Sequence, residues 1–354
     1  MSDVWFAPAT ADDPRACEQD LHQLLHAADA RSILKRGDLV GIKVHVGETA
    51  KRAFLGKELA TVAAREVRIW GGVPFFTDTC VLYKSRRDDA VNHTRLAHEH
   101  GYSIDGAGAP FIVADGLLGT DEELVQVPAV GSTPIAVAGA ARRAHAVVVL
   151  AHATGHLATG FGGVVKSLGM GLSARKGKLA MHSVSKPSIR TSACTGCGEC
   201  ALRCPEDAIT VGTTAVIDTA QCVGCGECLA VCRAGAVGFD WKASSESLQR
   251  RIAEHALAVV TGHEQRFVYV AIALRVTKDC DCIEDPGPPL FDDIGLLVSR
   301  DPVAIDQATL DLIEERTGAP LRRWAYRRID PISQLAHGEA IGLGSRSYRL
   351  ITIS

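Results

Sequence analysis

The chain is 354 residues long, 47% hydrophobic and 22% charged, with a formal net charge of −3. That is an ordinary globular composition with length for about two domains. It supplies no basic stripe for nucleic acid, and no apolar run approaches the roughly 20 residues that span a bilayer. The amino terminus, Met-Ser-Asp-Val-Trp, lacks the basic and apolar regions of a secretory signal, so the expected location is the reducing cytoplasm.

Residues 1–185 read as alternating strands and helices. A short strand over Val4–Ala7 precedes a helix over Asp12–Ala30, which has Leu21, Leu24, Leu25 and Ala28 at helical spacing and Pro14 near its start. Asp38–Val46 reads as a strand with Lys43 and His45 near its carboxyl end, and Leu55–Trp70 as a helix stopped by Gly71-Gly72. Val73–Phe76 is the next strand, Asp88–His100 the next helix, and Ala146–Ala151 a firm buried strand after three shorter candidates (Pro110–Val113, Leu124–Val127, Ile135–Val137). Beyond residue 240 the pattern resumes with a helix over Ser245–Gly262 and strands at Phe267–Leu274 and Ile294–Val298. A helix begun by Asp301-Pro302, a short helix over Ile332–Ala340 and a last strand at Tyr348–Ile353 complete it. Strands separated by such helices predict an α/β fold, a mainly parallel sheet with helices on both faces.

Residues 187–240 interrupt that pattern with an internal repeat. The first copy places Cys194, Cys197, Cys200 and Cys204 at the spacing C-x2-C-x2-C-x3-C; the second places Cys222, Cys225, Cys228 and Cys232 identically. This is the bacterial ferredoxin pattern, in which three closely spaced thiolates cap three irons of one cube and the fourth cysteine serves the other. The expected ligand sets are Cys194, Cys197, Cys200 and Cys232 for one [4Fe–4S] cluster, and Cys222, Cys225, Cys228 and Cys204 for the second. Gly196, Gly198, Gly224 and Gly226 let the backbone wrap closely. A disulfide framework suits small secreted domains, and zinc sites usually use two separated pairs, so neither fits as well. Cys204 is followed by Pro205 but Cys232 by Arg233, a difference that bears on the potential of the cluster Cys232 serves. The expected organisation is one α/β domain (1–186 and 241–354) with a ferredoxin-like two-cluster α+β insert at 187–240.

Other chemistry is expected at the carboxyl ends of the strands, where open α/β sheets bind ligands. Lys43, His45, Asp78, His152, Cys280 and Cys282 fall there, although each histidine also reads as a structural group and Asp78 as a cap. The run from Ala153 to Gly171 is rich in glycine and carries His156 and Lys166; it reads as a loop, either approaching a ligand or packing on the cluster module. It is not a P-loop, because Val165 stands where that motif needs Gly before the Lys. Arg175, Lys176, Lys178 and His182 downstream read as an anion site or as a solvated loop. Cys280 and Cys282 read as alternate residues of an extended segment facing one way: a metal or redox element, or buried inert thiols. Cys17 and Cys80 have no evident partner.

Several stretches together resemble the Fe–S centre proteins carrying the domain of unknown function 362. They are Gly41–Gly47; Thr77-Asp78 with Tyr83; His93 before Ala97-His98; Gly155-His156 through Phe161-Gly162-Gly163, Lys166 and Leu168–Gly171; His182; both cysteine runs; and Asp301–Asp306. The resemblance spans nearly the whole chain and implies an α/β domain with two [4Fe–4S] clusters. Family members often have Lys two residues before the Gly-His histidine and Asn after the later Lys; Thr154 and Ser167 stand there in this chain.

The function expected from these features is electron transfer by two [4Fe–4S] clusters. The chain reads as an iron–sulfur oxidoreductase acting on a small anionic substrate, with a soluble protein as electron donor or acceptor. Lys166 and His182, with His156 and Lys43, are the candidate catalytic residues that bind or protonate the substrate. The alternatives are a ferredoxin-like electron carrier and a metal- or cluster-handling protein using Cys280 and Cys282.

Overall fold

A computed structural model describes residues 1–48, 56–83, 85–182, 186–204, 206–222, 227–238, 245–283 and 285–353. Its centre is an eight-stranded sheet built from β1 (Ser2–Ala7), β2 (Leu39–Lys43), β3 (Val73–Asp78), β4 (Phe111–Val113), β5 (Ala146–His152), β6 (Phe267–Ala273), β7 (Gly295–Ser299) and β8 (Tyr348–Thr352). The order across the sheet is β8-β1-β7-β6-β5-β2-β3-β4. Every adjacent pair is parallel except the two that β7 makes, with β1 and with β6. Strands from before and after the cysteine repeat therefore share one sheet, and β5 and β6, which flank the repeat in sequence, are direct neighbours.

Helices cover both faces, which is why the central strands are apolar throughout instead of alternating. Along β5, Val147, Val149 and Ala151 face one core and Ala146, Val148 and Leu150 the other. The second face carries α1 (Pro14–Ala27), α2 (Glu58–Ile69) and α3 (Ala90–Glu99). The first carries α4 (Val164–Gly169), α5 (Arg175–His182), α8 (Ser245–Val260), α9 (Pro302–Thr317) and α10 (Ile332–Ala340). Asp301 caps α9 by accepting the N–H groups of Val303 and Ala304 at 2.9 and 3.0 Å, as its sequence position ahead of Pro302 predicts. Burial of this apolar surface, at about 25 cal/mol per Å², dominates the fold's stability.

Two local expectations are corrected. The glycine-rich run from Ala153 is not a loop: Thr154–His156 and Gly160–Gly162 pair as a small antiparallel hairpin, and Lys166 lies on α4. The basic run is not a solvated loop but helix α5, whose Arg175 and Lys178 are buried. Glycine at 169 and 171 is what admits this compact path, since a Cβ at either position would lie 2.1 Å from a backbone oxygen.

The cysteine repeat folds around its own small core of Cys200, Ile209, Ala215, Cys228 and Val237. Each half contributes a short helix, α6 (Glu199–Leu202) and α7 (Glu227–Val231), and the two pack together. Two minimal antiparallel strand pairs, Ser188–Ile189 with Val237–Gly238 and Ile209–Val211 with Ala215–Ile217, close the unit. Helix α7 also packs against α5, joining the small unit to the helix that ends in His182.

Candidate functional site: a cysteine cradle and a buried ionic cluster

Four cysteines from opposite ends of the repeat converge. Cys194, Cys197, Cys200 and Cys232 line one open cavity walled by Ile189, Ala215 and Val237. The left-handed backbone at Gly196 and Gly198 makes this possible; a Cβ at Gly196 would also meet the Thr213 carbonyl at 2.8 Å. Backbone N–H groups point at the sulfurs: Ala215 donates to Cys194 at 3.3 Å and Ala236 to Cys232 at 3.2 Å. The Ala215 bond, with a second from the Gly196 N–H, pulls the Cys194 thiol below its ordinary range. Burial pushes the Cys200 thiol up, with the sulfurs of Cys197 and Cys232 close by. The donor set and N–H-lined pocket fit a thiolate-held cluster, whose sulfurs accept such bonds.

In the other half of the repeat, the Ala208 N–H donates to Cys204 at 3.2 Å, the counterpart of the Ala236 bond to Cys232. Cys228 is buried on α7 and Cys222 is half-buried after the Ala215–Ile217 strand. Cys225 lies outside the described residues.

The remaining candidates meet at the carboxyl ends of the parallel strands. Strand order reverses between β2 and β5, and a crevice at such a switch point is where open α/β sheets place ligands. Lys43 ends β2 and is only 2% exposed; its Nζ lies 3.1 Å from Asp78, which ends β3, and donates to the Val44 carbonyl at 2.8 Å. Lys43, His93, His45 and Arg87 hold the Asp78 carboxyl well below the usual carboxylate range despite its burial. Arg87, also 2% exposed, binds Glu48 through Nε at 3.0 Å and Nη2 at 2.6 Å, and Tyr83 and Ser85 each donate to Glu48 at 2.7 Å. Arg87 and Glu48 escape sequence reading because Arg87 sits in a charged run, Arg86–Asp89, that resembles a solvated loop.

Lys166, His156 and His182 are brought together beside Cys280 and Cys282. Burial disfavours charge on Lys166, but the nearby Cys280, Cys282 and Asp281 outweigh it and raise the ammonium above its ordinary value. Burial and this cation lower the two imidazoles, His156 to about 3 and His182 to about 4, so both are neutral at pH 7. The Nδ1 of His156 accepts the Thr159 N–H at 3.1 Å, which leaves the proton on Nε2. Lys43 stands a short way off: a Cβ at Gly171, the end of the glycine-rich run, would meet the Lys43 Cε at 2.6 Å.

Cys280-Asp281-Cys282 is a turn rather than an extended segment, yet its two sulfurs still meet. The Cys280 thiol donates to Cys282, holding Cys282 well below and Cys280 well above an ordinary thiol; Lys166 and His45 lower Cys282 further. The Nδ1 of His45 accepts the Gly47 N–H at 3.1 Å, so its Nε2 is left to donate to the Cys282 sulfur at 3.4 Å. Asp281 turns the other way and binds His152 at 2.8 Å, and His152 also donates to the Leu274 carbonyl. His152 is therefore structural. So are Arg175, which donates to the carbonyls of Leu118, Val81 and Asp88, and Lys178, which binds Thr79 and Cys80. Lys176 reaches Glu122 at 3.8 Å. Cys17 donates to the Thr10 carbonyl at 3.1 Å, and Cys80 is buried beside Asp115.

Fold and site together describe an α/β protein with a polar cluster at its sheet switch point and a separate cysteine-rich unit. Residues 40–311 match the family described as Domain of unknown function (DUF362), and the chain belongs to that family. No curated protein matches the chain. Among solved structures, one similar chain is a Thermotoga maritima protein (structural genomics target VR152), at 10% identity and TM-score 0.45, with 86% of this chain and 59% of that one covered. Another is the lactate racemase apoprotein from Thermoanaerobacterium thermosaccharolyticum, at 10% identity and TM-score 0.36, covering 77% of this chain and 51% of that one. The chain thus spans well under two thirds of the length of either. Among the described residues, no helix is long and apolar enough to cross a membrane.

Proposed function

We propose that the protein is a two-cluster iron–sulfur oxidoreductase in which a ferredoxin-like insert feeds electrons to a small anionic substrate held at the switch point of the sheet. The observation that carries this reading is the convergence of Cys194, Cys197, Cys200 and Cys232 on one cavity, since that set is drawn from both halves of the repeat. Cys222, Cys225, Cys228 and Cys204 would hold the second cluster by the same crossover. Bound [4Fe–4S] clusters supply one-electron transfer, at a potential set by charge, hydrogen bonds to sulfur and exposure.

The chain's own residues supply the rest. Lys166 is the half-buried cation that attracts an anionic group and carries an ammonium proton beside it. His156 and His182 are both neutral, and His156, with Nδ1 occupied by the Thr159 N–H, offers its Nε2–H as a hydrogen-bond donor. Lys43 keeps Asp78 ionised and orders the end of β2. A bare electron carrier needs no such buried ionic cluster, which favours the enzyme over the carrier.

The test begins with protein purified without oxygen, which should hold about eight irons and eight labile sulfides per chain. After dithionite reduction, reoxidation by a panel of small carboxylates and phosphate esters that carry a reducible carbonyl or carbon–carbon double bond is followed optically. Lys166→Ala should abolish reoxidation by the active member while leaving iron content and cluster spectra intact. Iron-free wild-type protein rules the reading out. Intact clusters with reoxidation unaffected by Lys166→Ala would favour the carrier.

A further inference from the structure

Helices α1 and α2 carry a second group of ligand-type side chains that the proposed redox chemistry does not use. His22 and His26 are four residues apart on α1 and so share one face of the helix. Opposite them stands Glu66, on the inward face of α2 with Leu59, Val62, Ala63 and Val67. Its carboxylate is 1% exposed, an unusual place for a charge that only a paired or ligating role accounts for.

We propose that His22, His26 and Glu66 bind one divalent first-row transition-metal ion, of which zinc is the probe, and that the ion clips α1 to α2. His22 Nδ1 lies 3.0 Å from Glu66 Oε1, and His26 Nε2 lies 3.1 Å from Oε2. One donor atom from each of the three residues falls within 4.8 Å of the others. Zinc bonds of about 2.0–2.1 Å in tetrahedral array set neighbouring donors about 3.3 Å apart, so the residues are close to the required spacing. Imidazole nitrogen with one carboxylate is a donor set suited to zinc and its neighbours in the first row.

A simple hydrogen-bonded carboxylate explains only part of the arrangement. His26 makes a well-formed bond to Glu66, but His22 Nδ1 approaches off the line a hydrogen bond needs and is a buried nitrogen with no hydrogen-bond partner. A metal ion would satisfy that atom. The rings themselves are 43% and 51% exposed, which leaves a path for the ion and room for water in the remaining positions. Trp70 packs edge-on against the His26 ring at 6.0 Å and holds its orientation. Arg65, half-exposed, touches Glu66 Oε1 at 3.3 Å and competes with the ion for that oxygen.

The test is equilibrium dialysis of the anaerobically purified, iron-replete protein against buffered free zinc, with bound metal counted by elemental analysis. Wild type is expected to hold one zinc more than His22→Ala or His26→Ala. Affinity at the site should fall about tenfold or more in each variant, because losing even an outer partner of a metal ligand costs that much. Arg65→Ala is expected to tighten binding. Equal zinc uptake by wild type and both histidine variants overturns the proposal. A second readout needs no variant: zinc should slow diethyl pyrocarbonate modification of His22 and His26 in wild-type protein, and unchanged modification rates overturn it equally.

Discussion

Asp306 of α9 caps α4, accepting the Val164 N–H at 2.7 Å through Oδ1 and the Val165 N–H at 2.8 Å through Oδ2. This buried contact joins elements more than 140 residues apart in sequence. It fixes the helix that carries Lys166, so the position of that ammonium depends on a carboxylate from the far side of the cysteine repeat. Loss of the acceptor in Asp306→Ala strands two buried N–H groups. Each such loss costs about 1–3 kcal/mol, so urea unfolding should show a destabilisation of roughly 3 kcal/mol.

Asp306 also gives stability a pH signature. Burial raises its carboxyl to about 7, above the value of about 4 in an unfolded chain. Between these two values the folded protein holds a proton that the unfolded chain has released, so this group's contribution declines as pH rises from about 4 to 7. Asp306→Asn keeps an acceptor but cannot titrate. The difference in unfolding free energy between wild type and this variant should therefore slope across that window and level off on either side. A flat difference would show that the carboxyl titrates normally.

The Lys43–Asp78 pair acts in the opposite sense. Asp78 is held below the usual carboxylate range, so the stability it contributes is complete at neutral pH and is lost as pH falls below about 4. Lys43→Met leaves Asp78 buried with Arg87 as its nearest remaining cation, at 3.5 Å. Breaking a buried pair from one side costs about 3–5 kcal/mol. The variant should unfold at lower urea and at a higher pH in acid titration. An acid midpoint identical to wild type would mean that Lys43 does not govern Asp78.

Cys282 should behave as a thiolate where other free cysteines do not. Its neighbours Cys280, Lys166 and His45 all favour the anion, and it is only half-buried, whereas Cys17 and Cys80 are buried and raised. With clusters intact, iodoacetamide at pH 7 should label the Cys282 peptide before those of Cys17 and Cys80, as read by mass spectrometry. Lys166→Met removes the facing cation and should slow that labelling. Faster labelling of Cys80 would contradict the assignment.

Much of the α/β scaffold is legible in the sequence because burial on both sheet faces writes itself as short apolar runs: β5, β6 and α9 fall within a residue or two of their expected bounds. The glycine-rich run misleads because glycine serves two purposes. Gly155, Gly169 and Gly171 read as loop residues, yet they sit where a Cβ would collide with neighbouring backbone in a tightly packed hairpin and helix. The ionic cluster is legible only in part. Lys43, His156, Lys166 and His182 stand out near strand ends or glycines, but Arg87 and Glu48 are buried by partners that no local pattern announces. The pairing of His22 and His26 with Glu66 is half visible, as histidines four apart on a helix; the carboxylate facing them comes from tertiary packing alone.

The crossover of cysteines yields the sharpest prediction about the insert. Cys232 closes the second run in sequence but lines the cavity of the first, and the N–H of Ala236 is turned on its sulfur. Cys232→Ser should therefore perturb the cluster bound by Cys194, Cys197 and Cys200, and spare the one bound by Cys222, Cys225 and Cys228. Cys204→Ser should do the reverse, since Cys204 and its Ala208 N–H occupy the equivalent place in the other half. Each variant should keep one intact cluster, about four irons, with a low-temperature electron paramagnetic resonance signal distinct from that of its counterpart. Double variants then separate the possibilities. Cys232→Ser combined with Cys194→Ser should damage the same single cluster, while Cys232→Ser combined with Cys222→Ser should damage both. If the second pair spares a cluster and the first does not, each run holds its own four ligands and the crossover assignment is wrong.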